Sequence, residues 1–247
     1  MLKLTKEFMI PASQTDAHAC LTPAGTFTLL QDIAAEHAER MGVGFHDLLV
    51  KSNAFWVIAR TLVKFVRPPH IYQPVMLTTW PSKPTGAICI RNYEMTAQDG
   101  TTLILGKNEW VIMDATTHRI RRLTDTCYPA DEEYSDRLAL DMPFYRFEAQ
   151  PEGAQYIYTH RVRLSDTDSV RHTNNVSYIR MFLDSFSGEF FDENVIEEME
   201  IKYSHESREG DDIAIYRMPT EGGYLLYGKK SDGGIIVSAR IKTAPRK

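Results

Sequence analysis

One pattern occurs twice along this chain, in the same order, and that repetition constrains the fold more than any other feature. Asp16 and Asp168 are 152 residues apart, as are Asp32 and Asp184. Farther on the offset becomes 138, with Leu62–Phe65 over Glu200–Tyr203 and Val75 over Ile213, and then 133, with Asp99-Gly100 over Asp232-Gly233 and Leu103-Ile104 over Ile236-Val237. Collinear matches of this kind mark a duplicated structural unit. The drop from 152 to 138 places a 14-residue excess in the first copy, about where GVGFHDLLVKSN lies.

Each copy reads as one helix followed by several strands. In the first, Thr22-Pro23 supplies an N-cap and a proline at the first helical position. Phe27, Leu30, Ala34, Ala38 and Met41 then form one apolar face that Gly42 can close. In the second, Asn174 or Asn175 caps a helix with the face Val176, Ile179, Phe182, Leu183 and Phe186. β-Branched and aromatic runs follow at Phe55–Val66, Val75–Trp80, Ala87–Thr96 and Thr101–Met113, and again at Met199–Tyr203, Ile213–Met218, Tyr224–Lys229 and Ile235–Ile241. The expected class is α+β, with a curved antiparallel sheet burying the apolar face of each helix.

Charge places the boundary between the copies. Residues 1–128 hold 13 Lys/Arg and 11 Asp/Glu, residues 129–155 hold 2 and 7, and residues 156–247 hold 13 and 15. The net charge of −5 therefore equals that of the middle segment, whose Pro129, Pro143, Pro151 and Gly153 break periodicity. The expected organisation is a first domain at 1–128, a solvated acidic linker at 129–155 and a second domain at 156–247. No basic excess is available for gripping nucleic acid through its phosphates. Cys20, Cys89 and Cys127 are too few and too scattered for a disulfide framework or a zinc site, which fits a reduced, cytoplasmic setting. The first residues show neither a long apolar run nor a small-residue cleavage site, so no secretory leader is expected. No stretch approaches the roughly 20 apolar residues of a membrane-spanning helix.

The densest polar cluster is Ser165–Asn175, SDTDSVRHTNN, directly before the second helix. Two carboxylates, a histidine and two amides at a helix N-terminus suit stabilisation of negative charge, as an oxyanion requires; the same residues also suit a capped turn. Glu206 lies at the end of a strand in the same half. Strict alternation places it with Glu200, Lys202 and Ser204, away from Ile201 and Tyr203. Through the repeat, His172 falls over Cys20 and Glu206 over Pro68, so only the second copy retains the full polar set. Trp56, Trp80 and Trp110 suit either an apolar channel or core packing. Cys89 and Cys127 have no evident base beside them, and His160 and His205 lack the ligand spacing of a metal site.

With these residues in view, the chain resembles the acyl-acyl carrier protein thioesterases of bacteria and plant plastids. The likeness rests on LLQDIAAEHAERMG, FWVIARTLVKFVRPPHIYQPVMLTTWP and WVIMDATTHRIRRL in the first half, and on SDTDSVRHTNNVSYI and EIKYSHE in the second. It implies a tandem of two hot-dog domains, the first shaping a fatty-acyl pocket. It also implies hydrolysis of a fatty acyl-carrier thioester without a cofactor or metal. By motif position the catalytic aspartate, histidine and glutamate fall on Asp168, His172 and Glu206, with Asn174 and Asn175 in oxyanion and positioning roles. Val170 replaces the family's usual asparagine, and valine has no side-chain hydrogen bond to offer. The expected partner, acyl carrier protein, is acidic, and Arg119, Arg121 and Arg122 form a basic run that can meet it. Monomer and homodimer are both open. The competing readings are a non-hydrolytic acyl-thioester-binding sensor, an acyl-CoA thioesterase, and a dehydratase or hydratase on the same fold.

Overall fold

The structure is a computed structural model that describes residues 2–129, 134–148 and 152–246. It divides into two compact units, Met1–Met142 and Pro143–Lys247.

In the first unit Thr22 caps α1 (Pro23–Arg40), its hydroxyl accepting from the N–H of Gly25 at 2.9 Å, and Gly42 follows the helix with φ +70°. The buried face of α1 carries Phe27, Leu30, Ile33, Ala34 and Ala38. Around it runs an antiparallel sheet of β1 (Leu4–Met9), β2 (Ala54–Phe65), β3 (Pro74–Pro81), β4 (Ile88–Ala97) and β5 (Thr102–Asp114), in the order β1-β3-β4-β5-β2. The short β6 (Ile120–Arg121) adds to β5. Helix and sheet approach closely at Gly106, where a Cβ would stand 3.2 Å from Leu30 Cδ1.

The excess segment of the first copy forms α2 (Phe45–Ser52). Neither α2 nor β1 is among the expected elements. Phe45, Leu48 and Leu49 of α2 keep the i, i+3, i+4 spacing of an apolar helix face, but only Leu48 is buried, and so short a helix gives the pattern too little length to stand out in sequence. β1 carries Lys6 and Glu7 across its middle, and β-propensity there gives way to pairing with β3.

The second unit repeats the plan. Asn174 caps α3 (Asn175–Leu183), its Oδ1 accepting from the N–H of Val176 at 2.8 Å. Val176, Tyr178, Ile179, Met181 and Phe182 are buried. The sheet consists of β7 (Gln155–Arg161), β8 (Asn194–Tyr203), β9 (Asp212–Thr220), β10 (Gly223–Lys230) and β11 (Ile235–Pro245), ordered β8-β11-β10-β9-β7. The helix stops before Phe186, which instead stacks on Phe190 of the short α4 (Gly188–Glu193) at 4.6 Å between ring centres. Each unit is thus the helix-in-sheet arrangement of a hot-dog domain.

The segment expected as a solvated linker lies partly outside the described residues, at 130–133 and 149–151. Residues 134–142 pack onto the first unit. Trp80 Nε1 donates to the carbonyl of Arg137 at 2.9 Å, the Arg137 guanidinium lies over that indole, and Leu140 is buried. The acids Asp136 and Asp141 hid this strap, and one arginine and one buried leucine among its residues leave no periodic signature of attachment.

Candidate active site

The polar cluster folds as a tight loop closed by the second of its two acids. Asp168 Oδ1 accepts from the N–H groups of Val170 at 3.0 Å and His172 at 3.1 Å. The Asp168 N–H donates to the carbonyl of His172 at 2.8 Å, and Arg171 takes the left-handed conformation, φ 64°, at the tip. Aspartate suits this because its short carboxylate reaches backbone donors two and four residues on. Its contacts run to the backbone, so Asp168 sets the position of His172 through the chain and not through the imidazole.

A second set of bonds brings the strand end to the helix start. The Thr173 N–H donates to the carbonyl of Ser207 at 2.8 Å. The Ser207 hydroxyl, 1% exposed, meets Thr173 Oγ1 at 2.6 Å and the Tyr178 hydroxyl at 2.7 Å. Flanked by this anchor, Glu206 comes to 3.4 Å from His172 Nε2, with the glutamate side chain 42% exposed. The alternation argument misplaced Glu206 because β8 ends at Tyr203, so the period of two no longer applies three residues later.

The guanidinium of Arg208 also reaches His172 Nε2, at 3.2 Å. One nitrogen cannot serve both neighbours in the same state. A deprotonated Nε2 accepts from Arg208, and a protonated Nε2 donates to Glu206. Sequence reading passed over Arg208; only its backbone bridge with His172 marks it.

The other expected residues separate clearly. Asn174 is engaged as the helix cap, and the carbonyl of Asn175 accepts from the Tyr203 hydroxyl at 3.3 Å. Val170 is 46% exposed on the loop. His160 pairs with Asp166 at 2.8 Å. Arg119 and Arg122 are exposed, whereas Arg121 donates to the carbonyls of Ser52 and Asp125 at 2.5 Å each. Trp56 and Trp110 line a pocket of about 150 Å³ within the first unit. Trp80 packs under the strap instead. Burial pushes the Cys89 thiol up, opposed by the charge of Arg91.

The first unit holds the same loop with different side chains. Asp16 Oδ1 accepts from the N–H groups of His18 and Cys20, both at 2.9 Å, and Ala19 has φ 58°. Cys20 occupies the place of His172 and bridges to His70, as His172 bridges to Arg208. The offsets of 152 and 138 therefore describe real correspondence in space.

Residues 1–130 match the acyl-ACP thioesterase N-terminal domain family and residues 149–242 the acyl-ACP thioesterase C-terminal domain family. The chain belongs to the acyl-ACP thioesterases. It is 25% identical over 224 residues to oleoyl-acyl carrier protein thioesterase 2, chloroplastic, of Arabidopsis thaliana. It is 26% identical over 187 residues to the palmitoyl-acyl carrier protein thioesterase, chloroplastic, of that plant. These alignments cover 83% and 72% of this chain, but only 60% and 45% of those relatives. Among solved structures, an acyl-ACP thioesterase from Bacteroides thetaiotaomicron superposes with a TM-score of 0.89 at 22% identity, covering 98% of each chain. The 12:0-ACP thioesterase from Umbellularia californica also reaches 0.89, at 19% identity over 100% of this chain and 98% of its own. These two show the fold, a tandem of hot-dog domains.

Proposed function

We propose that the chain hydrolyses the thioester of a fatty acyl group on acyl carrier protein, releasing the free acid. The observation that carries this is the approach of Glu206 to His172 on an aspartate-closed loop at the N-terminus of α3. That geometry supplies a base, an acid and a field favouring negative charge within one small surface.

In this reading Glu206 takes a proton from water as the water oxygen bonds to the thioester carbonyl carbon. The oxyanion is stabilised by the positive end of α3, whose first turn Asn174 and Asn175 fix. The C–S bond then breaks, and His172 delivers a proton to the departing thiolate. Asp168 holds the loop that carries His172. The pocket of the first unit is read as the acyl-chain pocket. Arg119 and Arg122 offer charge to an acidic carrier protein, and a cytoplasmic setting fits the three free cysteines.

Val170 supports a second reading. An exposed apolar side chain on the loop has no hydrogen bond for a water or a carbonyl, as suits a protein that binds acyl thioesters without cleaving them. Thiol release from acyl-ACP, followed with a thiol reagent, separates the two. Release that is lost in Glu206→Ala and Asp168→Asn supports hydrolysis, whereas binding with no release supports the sensor. Equal rates for wild type and both variants would remove these residues from the mechanism.

A further inference from the structure

The inner face of the first unit's sheet is far more polar than an alkyl chain requires. Cross-strand pairing sets Cys89 opposite Trp110, Arg91 opposite Asn108, and Tyr93 between Thr79 and Gly106, so these side chains share one face. α1 covers that face and contributes His37, whose Nδ1 lies 2.7 Å from the Arg91 guanidinium. Arg91 is 5% exposed and His37 1%. The remaining contact of Arg91 is Thr79 Oγ1 at 3.4 Å, and among the described residues no carboxylate pairs with it. Beside it, Tyr93 Oη, Asn108 Oδ1 and Trp110 Nε1 are buried next to one another, Tyr93 interacting with both neighbours but none of the three making a hydrogen bond of good geometry. Burial holds the Tyr93 hydroxyl well above the ordinary tyrosine range, so it remains a donor.

This cluster adjoins the pocket already described. Phe45 and Glu39 stand exposed at its rim, Ala34, Ala38 and Trp56 form apolar walls, and Arg91 and Trp110 line it as well. Among the described residues this leaves a buried guanidinium without an anion and buried polar atoms without well-formed hydrogen bonds, both of which are costly. A purely hydrocarbon ligand would relieve neither cost and would exclude water from these groups. An oxygen on the ligand would relieve both.

We propose that this pocket selects acyl chains bearing an oxygen function, whether hydroxyl, keto or carboxyl, toward the end remote from the thioester, received by the Arg91 guanidinium and the Trp110 indole N–H. That the ligand is an acyl chain rests on the thioesterase reading above. The oxygen preference rests on the pocket itself.

Binding to the intact protein tests it without relying on turnover. Methyl esters of straight-chain acids from hexanoic to dodecanoic are titrated calorimetrically, each against its ω-hydroxy and ω-carboxy counterpart. At the length that fits, an oxygenated ligand should bind about tenfold or more tightly, as one hydrogen bond from a charged donor provides. Arg91→Met should bring that ratio close to unity. Trp110→Phe, which removes the indole N–H and keeps an aromatic wall, should reduce it several-fold even if Arg91→Met fails to fold. Equal or tighter binding of the plain esters at every length would overturn the proposal, as would a ratio unchanged in folded Arg91→Met or in Trp110→Phe. Thiol release is a separate measurement. Its absence would remove hydrolysis and leave the binding ratio standing.

Discussion

At the scale of single residues, the proposed acid–base pair and its support are separable. Glu206 is partly exposed and, among the described residues, pairs with His172 and not with the core, so on the proposed chemistry Glu206→Gln should lower kcat by ~10²–10⁴. Its melting temperature should stay at the wild-type value, and steady-state assays beside thermal melts would check both. Ser207, the next residue, should behave in the opposite way. It touches no reacting group in the proposed chemistry, but its hydroxyl satisfies two buried partners, Thr173 and Tyr178. Ser207→Ala leaves those groups unsatisfied and should cost about 1–3 kcal/mol of stability, measured by denaturant unfolding. Adjacent residues would thus report chemistry and architecture independently.

At the scale of elements, the loop before α3 and its counterpart before α1 offer a paired test. Asp168→Ala and Asp16→Ala each remove two hydrogen bonds from a carboxylate to backbone N–H groups. Both should destabilise by a comparable amount, about 1–3 kcal/mol, but only Asp168→Ala should slow thiol release, because only that loop presents His172. Long helices and central strands were legible in the sequence because period and β-branched composition report burial directly. The elements that escaped notice are the strands β1, β6 and β7, the helices α2 and α4 and the strap over Trp80, whose side chains are charged, half-exposed or too few to show a period. The site was legible in part for the same reason. Asp168, His172 and the cap at Asn174 lie in one contiguous stretch whose chemistry is local. The approach of Glu206 and the contribution of Arg208 depend on how a strand end is tied down by Ser207, and no spacing along the chain encodes that.

At the scale of the whole molecule, partner choice becomes a question of surface charge. The −5 of the full chain conceals a first half with two more basic than acidic residues, 13 against 11 over residues 1–128. Arg119 and Arg122 are the exposed members of its basic run, while Arg121 is occupied by backbone carbonyls. Charge reversal at Arg119 and Arg122 should raise KM for a carrier-bound substrate far more than for a small acyl thioester, and the difference should shrink as salt is added. Reversal at Arg121 should instead lower the melting temperature, since it releases the link between the end of α2 and the turn at Asp125. Equal effects on both substrates would dismiss the patch as a docking surface.

The twin loops also say something about history and about engineering. The molecule has already carried out the substitution that an experimenter would try first: at one address the turn bears histidine with a glutamate nearby, and at the other cysteine with a proline in the glutamate's place. Both turns close with the same bonds. The shape of the loop therefore owes nothing to the histidine and glutamate it brings together. Reactivity here is a removable fitting on a durable mount, and the mount in the first unit stands ready to receive another.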